Sequence, residues 1–258
     1  MGVCNITKDS FSDGGLNYQK KDALKNIKLM LKNGASIIDI GAESTRPGSD
    51  PISYKEEIKR LDSILKVLPK NKFLISIDTY KTETQEFVLN RGAHIINDIF
   101  GGSTDLFALS KKYKNGLILV HTPAPPKIMQ QKTIMYKDVI EDRKRFFKQK
   151  LKKIDKVKIP QNKIWFDPGI GFGKNLEQNL LILKNIKKFK LQKCGLLLGS
   201  SRKSWISGID DSPIEKRLGG SIASVLYCLN HGVDIFRVHD VSETRQAIEV
   251  YKKIACLR

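Results

Sequence analysis

The chain has 258 residues, 40% of them hydrophobic and 28% charged, the make-up of a folded protein able to bury one sizeable core. No apolar run approaches the roughly 20 residues of a membrane span, the first residues lack the basic start and apolar core of a secretory leader, and Cys4, Cys194, Cys228 and Cys256 show neither metal-ligand nor disulfide spacing. The net charge of +19 is carried mostly by lysines spread along nearly every amphipathic segment, without interleaved aromatics, so it reads as compositional drift over solvated surfaces rather than as a nucleic-acid footprint.

Residues 2–6 are a brief apolar run, followed by a polar, glycine-rich stretch at 7–15. Residues 21–33 carry a helix-like apolar face closed by Gly34. A strand is predicted at 36–41, a loop at 43–51 and a helix at 54–68, where apolar residues recur at helical spacing. A strand at 73–77 ends at Asp78, and a helix follows at 82–90 with Thr82 as its expected N-cap and Gly92 as its stop. Strand 94–99 contains Asn97, a short helix covers 105–113, and strand 116–120 ends at His121. A proline-rich loop leads into a long basic helix around 137–154. Strand 164–166 ends at Asp167, and helix 176–189 follows. Strand 195–198 runs into Gly199 and the serine-rich segment 200–204, then come a helix at 221–230, a strand at 234–238 and a last helix at 242–254.

That is eight strand–helix units in strict alternation, with no linker or low-complexity segment between them. Such alternation implies parallel strands joined by right-handed crossovers, and eight units at this length fit one closed (β/α)₈ barrel domain over residues 1–258, an α/β fold of the TIM-barrel type. An open doubly wound sheet, with its usual five or six strands, fits less well. The segment Asp167-Pro-Gly-Ile-Gly-Phe-Gly-Lys174 is not a nucleotide loop. Its glycines have neither the P-loop nor the dinucleotide spacing. It is a strand end with a carboxylate and an open turn, and Lys174 at its close is predicted to be a surface charge.

Chemistry in such a barrel sits at the carboxyl ends of the strands. Those ends here offer Asn5, residues 43–46, Asp78, Asn97, His121, Asp167, residues 201–204, and Arg237 with His239. One polar strand end can be a helix cap. A set that adds Arg, Lys and His to the usual capping residues points to a site.

The motifs Asn5-Ile-Thr-Lys-Asp-Ser-Phe-Ser-Asp-Gly-Gly15, Gly41-Ala-Glu-Ser-Thr-Arg-Pro-Gly48, Ser76-Ile-Asp-Thr79, His94-Ile-Ile-Asn-Asp-Ile99, the 167–174 segment, Ser201-Arg-Lys-Ser204 and Arg237-Val-His239 resemble, in the same order, those of the dihydropteroate synthases. The resemblance implies a transferase of folate biosynthesis that joins 6-hydroxymethyl-7,8-dihydropterin pyrophosphate to p-aminobenzoate, releases pyrophosphate and is the target of sulfonamides. It implies pterin contacts from Asp78, Asn97, Asp167 and Lys203, and pyrophosphate contacts from Arg237 and His239, with Arg46 and Thr45 close by. Asn5 is expected to be an oxygen ligand to Mg²⁺ that bridges phosphate oxygens. Thr45, Arg46, Pro47, Phe172 and Ser204 are expected around p-aminobenzoate. Asp13 is expected to place negative charge near a cation developing on the pterin methylene. Residues 7–15 and 44–49 read as lids. The catalytic set is thus Asp13, Arg46, Lys203, Arg237 and His239.

The resemblance further implies a homodimer in the cytoplasm, with small-molecule substrates and neither nucleic-acid nor membrane partners. The chain departs from the family at Lys8, where proline is usual, in the loop after His121, and at Ser200, where methionine is usual. It also starts at strand one, without the hairpin that usually precedes it, which puts closure of the barrel in question. A corrinoid-linked methyltransferase barrel would not need Arg46, Arg237 and His239 together with the serine-rich segment. A drifted, inactive barrel would be expected to lose these residues first.

Overall fold

The structure, a computed structural model, describes residues 1–6, 15–44, 48–69, 72–125 and 136–256. Eight parallel strands lie side by side in chain order. They are β1 Gly2–Asn5, β2 Ile37–Gly41, β3 Leu74–Asp78, β4 Ile95–Asp98, β5 Gly116–Val120, β6 Ile164–Asp167, β7 Gly195–Leu198 and β8 Ile235–Phe236. The sheet curls until its last strand meets its first. Gly2 pairs in parallel with Val238, Val3 N donates to Val238 O at 3.1 Å, and Val238 N donates to Met1 O at 3.0 Å. The expected TIM barrel is the fold, and its ring closes.

Between the strands run α1 Gly15–Lys32, α2 Tyr54–Leu65, α3 Thr82–Asn90, α4 Thr104–Tyr113, α5 Val139–Val157, α6 Leu176–Lys184, α7 Ser204–Asp210, α8 Leu218–Leu229 and α9 Val241–Ala255. Several starts have a visible cause. Ser53 caps α2 by accepting from Glu56 N at 3.2 Å, Ser103 caps α4, Asp138 caps α5, and Asn175 forms a reciprocal capping box with Gln178 at α6. At α3 the expected cap is displaced: Lys81 holds the N-cap position without a side-chain bond, and Thr82 is the first helical residue. The helix expected over 176–189 breaks at Asn185 into α6 and a 3₁₀ turn, Ile186–Phe189. The short α7 was not separated by periodicity, because Gly208 and the following turn interrupt its pattern after two turns.

Alternation along the strands builds two cores. Ile38, Ile40, Ile77, Leu119 and Phe166 face the helices and pack with residues such as Phe147 and Ile64. Ile95, Ile118, Val120 and Leu197 face inward, with Ile37, Trp165 and Ile235 packed against them. Trp165 fits because its neighbours across the sheet are glycines: a Cβ on Gly195 would lie 2.3 Å from Trp165 Cδ1, and one on Gly116 3.1 Å from its Cζ3. Asp39 on β2, Ser76 and Asp78 on β3 and Asn97 on β4 are the buried polar side chains on the same face.

Candidate active site

Asp39 stands in the middle of β2, fully buried, and faces the barrel interior. Its Oδ1 accepts from Ser76 Oγ at 2.6 Å, and its Oδ2 accepts from Asn97 Nδ2 at 3.1 Å and from Arg237 Nε at 2.6 Å. Arg237 Nη2 also donates to Asp78 Oδ2 at 2.9 Å. One guanidinium thus bridges two carboxylates on adjacent strands, in the fork geometry that arginine supplies. Burial disfavours its charge, but Asp39 and Asp78 outweigh that and hold its pKa above the ordinary value. Sequence reasoning missed Asp39. The signal was a lone carboxylate inside an apolar strand, which can persist there only when paired.

Arg237 lines the cavity at the carboxyl ends of the strands together with His239, and two of its three guanidinium nitrogens are engaged inside the barrel, so that Nη1 is the one that neither carboxylate holds. The arrangement also defines Asn97. A carboxylate only accepts, so the amide nitrogen must face Asp39, and Asn97 Oδ1 is left buried without a partner. Asp78 Oδ1 is likewise buried and unpartnered. Burial pushes the Asp78 pKa up to about 7, against the pull of Arg237 and with a further push from Asp39.

Asp167 ends β6, and its Oδ1 accepts from Gly169 N at 2.7 Å. Burial raises its pKa, and Lys203 opposes the rise. Lys203 Nζ donates to Ile170 O at 2.5 Å and lies 4.2 Å from the centre of the Phe172 ring. Burial pulls its pKa down to about 8, with Asp167 opposing. Asp78, Asn97, Asp167 and Lys203, predicted from separate strand ends, therefore converge.

A cavity of about 430 Å³ opens at the carboxyl ends of the strands, lined among others by Asn5, Phe172, Lys203, Ser204, Arg237 and His239. His239 Nδ1 shares a 3.1 Å hydrogen bond with Ser201 Oγ. Ser204 is exposed at the first position of α7. Asp13, Thr45, Arg46 and Pro47 lie outside the described residues. A second depression, about 390 Å³, opens at the opposite end of the barrel among Ala35, Ile37, Ile235 and Ile248, away from all of these groups.

Two other residues differ from expectation. Lys174 is not a surface charge. It is buried, and its Nζ donates to Gly169 O at 2.6 Å and Phe172 O at 2.8 Å, with His121 O at 3.5 Å. Burial holds its pKa well below the lysine range. The three glycines of 169–173 all adopt positive φ, which turns these carbonyls inward onto the ammonium. His121, at the end of β5, packs its ring edge-on against Phe146 at 4.8 Å. Burial and then Lys174 push its pKa down to about 2.

Chemically, the interior offers unpartnered acceptors for a flat, donor-rich ring, and cations above them for a departing anion. The chain matches the family described as "Pterin binding enzyme" over residues 1–239. It is 40% identical over 253 residues to the dihydropteroate synthase of Escherichia coli strain K12, which covers 97% of this chain and 89% of that protein. The Yersinia pestis dihydropteroate synthase, solved with a sulfonamide drug complex, superposes with a TM-score of 0.91 at 36% identity, covering 100% of this chain and 94% of that one. The Burkholderia cenocepacia dihydropteroate synthase complexed with 7,8-dihydropteroate superposes with a TM-score of 0.88 at 31% identity, covering 99% and 90%.

Proposed function

The chain belongs to the dihydropteroate synthases of the pterin-binding enzyme family, and from that premise we propose how its residues carry the reaction. The enzyme is a transferase of folate biosynthesis, which condenses 6-hydroxymethyl-7,8-dihydropterin pyrophosphate with p-aminobenzoate to give 7,8-dihydropteroate and pyrophosphate. The observation that carries the residue assignments is the pair of buried, unpartnered oxygens, Asp78 Oδ1 and Asn97 Oδ1. Orphaned buried acceptors are costly, and a ring presenting N–H and NH₂ donors would satisfy them. Asp167 adds a third acceptor, and Lys203 leaves its carbonyl to bond the ring's own oxygen or nitrogen.

The bond between the pterin methylene and the pyrophosphate oxygen breaks, and the aniline nitrogen forms the new bond to that carbon. The nitrogen then loses its proton. No strong base is required, because the proton leaves after the nitrogen has attacked. The protein's tasks are to hold the ring, meet the departing charge and keep water from the developing cation. Arg237, His239 and Lys203 line the cavity and are proposed to meet the leaving group there. Phe172 and Ser204 are proposed for the p-aminobenzoate ring and carboxylate, together with Thr45, Arg46 and Pro47. Asp13 keeps its proposed place near the cation.

Mg²⁺ is part of the proposal. Among the described residues there is no group of three or more acidic, His or Cys ligands that could cage an ion. An ion brought in with the diphosphate would find in Asn5, which lines the cavity, a neutral oxygen ligand. When bound, the ion neutralises charge on the leaving group. A homodimer in the cytoplasm is also proposed. In its support, Leu180 and Leu181 on α6, Ile209 on α7 and Tyr227 on α8 expose large apolar side chains. No helix among the described residues is long and apolar enough to cross a membrane. The test is to mix the pterin pyrophosphate, p-aminobenzoate and Mg²⁺ with the protein. Pyrophosphate release that a sulfonamide suppresses is expected, and its absence from folded protein overturns the reading.

A further inference from the structure

The connection from β2 to α2 leaves the barrel at Ala42 and returns at Ile52, and one side chain governs both stems. The Glu43 carboxylate is buried at the edge of the cavity. Its Oε2 accepts from Ile52 N at 2.8 Å, which fastens the return to the exit. The same oxygen takes the Lys81 ammonium at 2.5 Å, and Oε1 takes the Tyr80 hydroxyl at 2.8 Å. Lys81 and Tyr80 lie between β3 and α3, so the clasp crosses to the next strand–helix unit. Beneath it, Lys81 is 3.4 Å from Glu57 Oε2, and that oxygen accepts from Thr84 Oγ1 at 2.8 Å. The exit is pinned once more where Arg60 Nη1 donates to Ala42 O at 3.0 Å. Inside the loop, Ser49 Oγ donates to Ser44 O at 2.6 Å.

A buried carboxylate that receives three donors, one of them charged, is held in one position. Neither Asp39, Asp78, Asn97, Asp167 nor Arg237 has a hydrogen bond to it among the described residues. The residue after it, Ser44, lines the cavity together with Phe172, Lys203 and Ser204. Resting on the function proposed above, we propose that Glu43 is a positioning residue for the second substrate. By tying the exit at Ala42 to the return at Ile52, it holds Ser44 in the cavity wall on the side proposed for p-aminobenzoate, while Asp39, Asn97 and Arg237 are hydrogen-bonded to one another and not to it. The Lys81 ammonium gives the clasp its charge-assisted strength, so Glu43 and Lys81 act as one unit.

The test uses Glu43→Gln, Lys81→Met and the double variant in the full chain, with pyrophosphate release followed as each substrate is varied. Glu43→Gln keeps shape and acceptor but loses the charge. The expected result is a KM for p-aminobenzoate raised about five- to tenfold, with the KM for the pterin pyrophosphate changed less than about twofold. Lys81→Met is expected to match it, and the double variant to add less than the product of the two, as coupled partners do. Amide exchange at Ile52 is expected to speed up in Glu43→Gln. An unchanged p-aminobenzoate KM, equal rises for both substrates, or fully multiplicative effects overturn the proposal. A wild-type protein that releases no pyrophosphate overturns the reaction assignment instead, and unaltered exchange at Ile52 then overturns the clasp on its own.

Discussion

Inside the barrel, β2, β3 and β4, with the residue after β8, contribute Asp39, Ser76, Asp78, Asn97 and Arg237 beside the apolar Ile37 and Ile95, whereas β5, β6 and β7 contribute Ile118, Val120, Trp165 and Leu197, with Asp167 their one carboxylate, at the end of β6. The two sides share one pleat and one set of helices outside. They differ in how they keep water out. The apolar side fills its volume, with glycines on either side of Trp165. The polar side carries charges that survive burial only through one another, and it leaves two oxygens unanswered. A packed wall can be complete by itself, while a recognition wall is completed by what it binds.

Breaking the polar side is expected to have the largest effect. Arg237→Ala strands Asp39 and Asp78 as buried carboxylates without their counter-ion. Pyrophosphate release should fall more than about 100-fold, and denaturant unfolding should show a loss of about 3–5 kcal/mol. Breaking the apolar side should separate the two outcomes. Trp165→Ala removes a partly buried indole from between Gly116 and Gly195, at a cost of about 2–3 kcal/mol in the same unfolding assay. The turnover of the folded fraction should nevertheless stay within about threefold of wild type. If Trp165→Ala abolishes turnover while stability is kept, the division between the sides fails.

The smallest effect sharpens the comparison. Asp78 has a folded pKa near 7 against an ordinary value of 3.8. Between those values the folded state holds a proton that the unfolded chain has released, so the Asp78 contribution to stability falls as pH rises from about 4 to about 7 and is level above that. The urea midpoint of Asp78→Asn should lack this part of the slope when compared with wild type across the same pH range. Identical slopes would mean that Asp78 stays ionised throughout.

The eight-fold alternation was legible because it rests on local periodicity, and the strand-end residues were legible because polarity at the end of an apolar run stands out. Asp39 and Lys174 were not. Asp39 lies mid-strand, and its partners, Ser76, Asn97 and Arg237, are set by the sheet register rather than by neighbouring sequence. Lys174 looks like any lysine before a helix. Its burial comes from the positive-φ glycine turn folding its carbonyls around the ammonium, which periodicity does not encode. Glu43 was visible as a polar strand end, but its partners Lys81 and Tyr80 belong to the next unit.

The bond from Arg237 to Asp39 spans 198 positions of the chain, and it forms only where β8 closes against β1. Until that happens, Asp39 and Asp78 face the interior with no guanidinium between them. Ligand competence therefore cannot accrue gradually as strands are added. It arrives with the slowest kind of contact a chain can make, one of very high sequence separation. During refolding, helical signal should return well before pterin binding, and binding should return in step with closure of the ring.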